Sequence, residues 1–285
     1  MILKTFWQPC TCNEHRVVLD RSKPRKGCDV SGIGAFACLQ HGCYCPGSIV
    51  DFYVGERHSY MDWGTCKAIA NTKAHLCPRC CLVYDISCQY CRNLRKRVQK
   101  GQYLDFKPGL CLTHAIGMFH VHGHQDQCYA RYAPRFILGM GLSDGEVMER
   151  LFSILNGAST LARTMTLAHR TETLDSHMGD NNFKKMIDMG TSPVLTPWKT
   201  SLYQDVVPTL CKKWINVCAI ADEFRADYEE MNKSANFHEI TLWTKQVEDA
   251  EAQRNTTEDA EVMDVYNIKL PRGSSFYNLQ KLYLK

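Results

Sequence analysis

The sequence predicts an α/β protein, and three observations carry the prediction. Residues 61–190 alternate helix-like and strand-like patterns, which is the signature of a mixed core. Leu82-Val83-Tyr84 is a short apolar run ending on an acid, Asp85, as a buried strand does at its edge. Asp144–Asn156 follows a Gly-rich loop and places Val147, Met148, Leu151, Phe152 and Leu155 at helical spacing.

The elements fall into three zones. Residues 1–60 are rich in Cys, Gly and turns and form a Cys/His-rich β segment, with strand-like runs at 34–38 and 48–53. Residues 61–190 form the α/β core. It has a helix over 62–71, the strand at 82–85, a basic helix over 89–99, a second apolar strand over 116–121 and the helix over 144–156. Residues 191–285 change character after Pro193 and Pro197 and read as a mostly helical C-terminal region over 201–249. Residues 251–261 (EAQRNTTEDAE) read as a solvated linker.

A chain of 285 residues can bury a real core, and 45% apolar with 22% charged residues is ordinary globular composition. A net charge of +4 and a pI near 8.3 permit nucleic-acid binding without arguing for it. No run of 18 apolar residues exists, so no membrane span is expected, and Met1–Phe6 is too short and polar for a signal peptide. Sixteen cysteines among eleven histidines, without a secretory signal, favour reduced thiols and metal ligation in an intracellular protein. On the same ground the sequon Asn255-Thr256-Thr257 carries little weight.

Asp85 at a strand end, with Glu146 and Glu149 at the start of a later helix, is the arrangement that metal-assisted phosphoryl transfer needs. Mg²⁺ takes a few carboxylate oxygens and leaves its other positions to water and substrate phosphate. The plainer alternative is a turn-forming Asp and two Glu residues serving the helix macrodipole.

Cys12-x2-His15 and Cys38-x2-His41, separated by 22 residues, could close on one tetrahedral Zn²⁺, with Cys43 and Cys45 as substitute ligands. The alternative is a group of buried thiols acting as small hydrophobes. Cys77-x2-Cys80 and Cys88-x2-Cys91 flank the strand at 82–85, which would hold them roughly 20 Å apart. Their pairing therefore reads as coincidence. His120, His122 and His124, followed by Cys128, alternate by two and would share one face of an extended segment. They read as supports for a site or as DNA contacts more than as direct catalysts.

Several blocks occur in an order that resembles one family. They are TCNEHR (11–16), SGIGAFACLQHGCYCPGSIVDFYVGERHSYMDW (31–63), YDISCQY (84–90), FHVHGHQDQC (119–128), GMGLSDGEVMERLFSILN (139–156) and LARTMTLAHRTETLDSH (161–177). Over residues 11–190 the chain resembles the fungal KDZ (Kyakuja–Dileera–Zisupton) transposases. The resemblance implies an RNase H-like core with a DDE-type acidic triad. Asp85 matches the second acid, and Glu146 or Glu149 the third. It also implies Mg²⁺ or Mn²⁺ in an active enzyme, transposon-end DNA as partner, and a nuclear location. The Cys12/His15 and Cys38/His41 pairs match recurring positions, which raises the zinc reading.

One departure is expected to dominate. The family's first Asp precedes the TCN-x-HR block, and Met1–Cys10 holds no acid, so the chain reads as N-terminally truncated, without the first strand. Asp20, Asp51 and Asp62 are the available substitutes. Arg92, Arg95, Lys96, Arg97, Arg163 and Arg170 are candidates for phosphate contact, about half of them being expected to serve only as solvated helix charge. The expected function is that of a transposase-derived protein, ancestrally cutting and joining DNA and inactive as it stands, with a possible homo-oligomer. The rivals are a catalytically dead zinc-containing binding module and a non-functional gene fragment.

Overall fold

The computed structural model describes residues 27–141, 143–190, 200–257 and 260–266, and these form a mixed, mostly helical fold with two small sheets. In the first sheet β1 (Gly32–Gly34) pairs antiparallel with β2 (Val50–Phe52), Gly34 opposite Val50. Gly34 has a steric reason: a Cβ there would lie 2.7 Å from the Phe52 ring and 3.0 Å from Met61 Sδ. Its absence lets Phe52 fold back over the strand.

Helix α1 (His58–Asn71) begins four residues before the expected position and buries Met61, Asp62, Thr65, Cys66, Ala68 and Ile69. Met61, Cys66 and Ile69 join Val50, Phe52, Tyr90, Leu94, Val98, Leu110 and Leu112 in the main core. A carboxylate in that company needs a partner. Asp62, 1% exposed, receives both arms of Arg97 at 2.7 and 2.9 Å. Thr65 Oγ1 and Tyr90 Oη lie 3.0 Å apart, satisfying the second buried polar pair.

The second sheet is parallel. Strand β3 (Cys80–Val83) pairs with β4 (Leu112–Ala115), Val83 opposite Ala115, and Tyr84 N–H donates to Ala115 O at 3.0 Å beyond the ladder. Parallel strands need a crossover. Here it contains α2 (Ser87–Tyr90), a 3₁₀ turn at Cys91–Asn93 and α3 (Leu94–Lys100). The basic helix expected over 89–99 is thus three short pieces.

The second strand lies earlier than its expected 116–121. Ile116 is fully buried, but the chain then leaves the sheet at Gly117 and coils into α4 (Met118–Val121), Val121 N–H reaching Gly117 O at 2.9 Å. Helix α5 (Asp126–Tyr132) follows, then α6 (Val147–Ala162) and α7 (Leu167–Gly190). On α6, Val147, Leu151 and Leu155 pack with Ala35, Tyr44 and Met178. Helix α7 grips the first sheet's loop: Tyr44 N–H donates to Asn182 Oδ1 at 2.7 Å and Asn182 Nδ2 returns to Tyr44 O at 2.9 Å.

Helices α8 (Thr200–Lys233) and α9 (Phe237–Thr257) account for the expected helical region. The solvated linker expected over 251–261 is overturned. Helix α9 runs to Thr257, and Arg254, 3% exposed, donates to Arg131 O, Phe136 O and His114 O at 2.7, 3.2 and 3.4 Å. A 3₁₀ turn at Glu261–Tyr266 buries Met263 and pairs Asp264 with both arms of Arg131, each at 2.6 Å. Local polarity misled because one buried guanidinium serves carbonyls from three parts of the core. No helix among the described residues is long and apolar enough to cross a membrane.

Candidate metal centre

The carboxyl ends of two parallel strands are a natural place for a site, because both backbones stop there and leave a crevice. Asp85 follows β3 by two residues, and His120 stands on α4 just after β4. Glu146 caps the start of α6, and Glu149 lies in its first turn.

These four side chains converge. His120 Nδ1 is 3.7 Å from Asp85 Oδ2, and His120 Nε2 is 3.4 Å from Glu146 Oε2 and 2.9 Å from Glu149 Oε1. Ligand atoms of Asp85, His120 and Glu149 all lie within 4.8 Å of one another. Asp85 and Glu149 are nearly half exposed, whereas Glu146 is only 15% exposed. Burial raises the Glu146 carboxyl above its ordinary value. Phe119 N–H, 2.8 Å from Oε1, opposes that rise, and the charge of Glu149 adds to it. Three carboxylates meet one imidazole here, with Arg150 drawn to Asp144 beside them, and the group is one that could hold a cation.

Two glycines make the convergence possible. A methyl group on Gly117 would overlap the Glu146 carboxylate, and one on Gly145 would lie 2.9 Å from Gly117 Cα. Gly145 also has φ +78°, a region open to glycine at little cost. Asp144 fixes the loop around them. Its carbonyl accepts Met118 N–H at 2.7 Å, its Oδ1 accepts Glu146 N–H at 3.0 Å, and its Oδ2 takes Arg150 at 2.8 Å. The Arg150 guanidinium holds the Asp144 carboxyl below its usual range.

The residues fit a divalent cation of the harder kind. Carboxylate oxygens suit Mg²⁺ and Mn²⁺, and an imidazole nitrogen in the set inclines it toward Mn²⁺. When bound, such an ion polarises phosphate oxygens and lowers the pKa of bound water. Asp85, His120 and Glu149 would hold it. Glu146, tied to Phe119 N–H, would fix the carboxylate wall.

The alternating histidines do not share a face. Met118–Val121 is helical, so only His120 points to the acids. His122 is exposed and stacks on Tyr129 with centroids 5.4 Å apart. His124 turns to Cys88, its Nδ1 3.4 Å from Sγ, and Cys128 joins them in a second group able to hold a metal ion. Cys88 had no expected role. The sequence signal available for it is the Cys88-x2-Cys91 spacing.

Of the zinc candidates, Cys38 Sγ lies 3.3 Å from His41 Nδ1, while Cys12 and His15 lie outside the described residues. Cys43 and Cys45 sit beside Cys38, and burial pushes the Cys45 thiol up to about 11. Among the suggested substitutes for the first acid, Asp20 also lies outside the described residues. Asp51 accepts Arg170 at 2.8 Å and Asp62 accepts Arg97.

Several of the phosphate-contact candidates are likewise engaged within the fold. Arg97 and Arg170 face carboxylates, Arg95 donates to Leu110 O at 2.7 Å, and Arg92 to Cys88 O at 3.0 Å. Arg163 and Lys96 are exposed.

A family model described as KDZ, Kyakuja-Dileera-Zisupton transposase, matches residues 4–182, more than half of the chain. No curated protein and no solved structure matches.

Proposed function

Because the chain belongs to the Kyakuja-Dileera-Zisupton transposase family, we propose that it is a transposase-derived protein of DDE type. Its ancestral activity is metal-dependent cleavage and transfer of DNA strands. The observation that carries this reading is the convergence of Asp85, Glu146 and Glu149 on His120 at the ends of two parallel strands. In this reading β3 and β4 are strands of an RNase H-like core, Asp85 is the second acid, and Glu149 or Glu146 the third. Mg²⁺ or Mn²⁺ is the cofactor, transposon-end DNA the partner, and the nucleus the place of action. Cys38 and His41 are zinc ligands in this reading, with Cys12 and His15 as the second pair that the sequence offers.

The acids serve one role each. Asp85 and Glu149, the two more exposed, bind the ion that meets the scissile phosphate. Glu146 keeps the wall rigid through Phe119 N–H, and His120 holds the three carboxylates in one small volume.

A second reading, a catalytically dead binding module, is favoured by one specific observation. Asp51 and Asp62, two candidates for the first acid, are committed to Arg170 and Arg97. A two-ion centre to which neither contributes needs its bridging carboxylate from another residue, and without one it would bind metal and stabilise the transition state poorly.

The test is plasmid nicking by the full chain with Mn²⁺ or Mg²⁺, alongside Mn²⁺ binding, with Asp85→Ala as control. Nicking that disappears in Asp85→Ala supports the enzyme. Mn²⁺ binding that depends on Asp85 without nicking supports the dead module. Equal metal binding and equal nicking in both proteins would remove Asp85 from the site.

A further inference from the structure

We infer that Cys88, Cys91, His124 and Cys128 form a structural zinc site, distinct from the acidic cluster and from the Cys12/His15/Cys38/His41 pairs. Four short segments deliver the donors. Cys88 lies in α2, His124 in the turn after α4, and Cys128 in α5, while Cys91 opens the 3₁₀ turn after α2. Ligand atoms of Cys88, His124 and Cys128 lie within 4.8 Å of one another.

The distances suit zinc. Bonds of about 2.3 Å to sulfur and about 2.0 Å to nitrogen, at tetrahedral angles, put the two atoms about 3.5 Å apart. Cys88 Sγ and His124 Nδ1 are separated by 3.4 Å. The donors are soft, as zinc prefers, and the hard oxygen ligands belong to the other cluster. Spacing agrees as well: Cys88-x2-Cys91 with His124-x3-Cys128 is a pair of short ligand hooks separated by a long loop.

Cys91 supplies the fourth ligand. Its Sγ is 3.5 Å from Tyr132 Oη, and the Tyr132 hydroxyl lies within electrostatic reach of Cys91, Cys88 and Cys128 together. Cys91 stands outside the trio of Cys88, His124 and Cys128 whose ligand atoms lie within 4.8 Å of one another, so as fourth ligand its thiol turns from Tyr132 toward them. On binding, the three thiols release their protons to solvent, and three thiolates with a neutral imidazole leave the zinc centre one negative charge. Arg92 stands against that charge, its Nε bonded to Cys88 O. Such outer partners orient the ligands and tune the metal.

Plain packing explains less. Buried thiols are ordinary core residues, and this group lies in an apolar cluster with Ile116, Val121, Tyr132 and Ala133. Packing alone does not call for an imidazole among three thiols at a metal-ligand separation. The site also has a position that matters. Cys88 is three residues after Asp85, and His124 four after His120. Zinc here ties together the two segments that carry the acidic centre.

The test uses the full chain purified with zinc. Cysteines are alkylated with and without 1,10-phenanthroline and read one by one by mass spectrometry, and zinc content is measured in parallel. The expected result is that chelation makes Cys88, Cys91 and Cys128 reactive together, and that Cys128→Ala carries one zinc fewer per chain. His124→Cys, which keeps four soft ligands, should retain the parent's zinc. The cobalt-loaded parent should show thiolate-to-metal charge-transfer absorption that Cys128→Ala diminishes. Unchanged reactivity of the three cysteines after chelation overturns the inference, as does a folded Cys128→Ala with the parent's zinc content. If Cys128→Ala fails to fold, the alkylation pattern of the parent decides.

Discussion

His120 Nε2 lies 2.9 Å from Glu149 Oε1, joining a short helix at the end of one parallel strand to the first turn of a helix that begins 27 residues later. Through that one imidazole, Asp85 on the neighbouring strand end and Glu146 at the helix cap are held in the same small volume. The strands alone would not achieve this. The loop carrying Asp144 and Gly145 must press against Gly117, and only the two glycines leave room.

The two glutamates should separate in their behaviour. Glu149 is nearly half exposed and faces His120 and Glu146. Glu149→Gln is expected to weaken Mn²⁺ binding roughly tenfold or more, as loss of a ligand or its close support does, with little change in melting temperature. Glu146 also accepts Phe119 N–H. Glu146→Ala should therefore cost about 1–2 kcal/mol of stability besides any effect on metal. Paired Mn²⁺ titration and thermal unfolding check both, and identical effects of the two substitutions would deny the division of labour.

Gly117→Ala should be worse than its size suggests. The new methyl group would occupy the space of the Glu146 carboxylate, so either the side chain leaves or the backbone shifts. Overpacking of this kind typically costs about 1–3 kcal/mol. The expected outcome is a lower melting temperature together with weaker Mn²⁺ binding, because the displaced residue is part of the acidic wall. Gly141→Ala is the control: φ is also positive there, at +60°, but a Cβ would meet nothing within 4 Å. It should lose stability through the backbone alone and keep its Mn²⁺ affinity.

Much of this centre was legible in the sequence, and the reasons for the rest are specific. Asp85 and the Glu146/Glu149 pair could be found because an acid after an apolar run and acids opening an amphipathic helix are local patterns. The second strand was misplaced because β3 and β4 are four residues each, too short to show a period, and because Ile116 is buried without belonging to the ladder. The histidines were read with a strand's period when their segment is a helix. Arg254 looked solvated because its neighbours are polar, and its carbonyl partners lie more than a hundred residues away.

The Asp62–Arg97 pair offers a test of how the first sheet's helix is held to the crossover. Asp62 is buried and its two oxygens face the two arms of Arg97, which also donates to Tyr90 O at 3.0 Å. Removing one partner strands the other charge in the core, and the expected cost is about 3–5 kcal/mol for Asp62→Ala. The double substitution Asp62→Leu with Arg97→Met should recover much of that loss, since apolar replacement of a buried pair is often neutral or better. Urea unfolding of the parent and the two variants checks the ordering, and a double variant less stable than Asp62→Ala would contradict it.

Arg254 is the corresponding test for the C-terminal helix. Burial pulls its guanidinium below the ordinary value, yet it remains the donor for Arg131 O, Phe136 O and His114 O. Arg254→Met keeps much of the stem's bulk and leaves those carbonyls without this donor. Since an unsatisfied buried acceptor costs on the order of 1–3 kcal/mol, the expected loss is a few kcal/mol. His114 lies in β4 and Arg131 in α5, so the damage should spread to the strand that leads to His120. Faster amide exchange across Leu112–Ala115, accompanied by weaker Mn²⁺ binding, is the anticipated signature. If exchange rises only within α9 itself, that helix is an appendage and Arg254 does not support the metal centre.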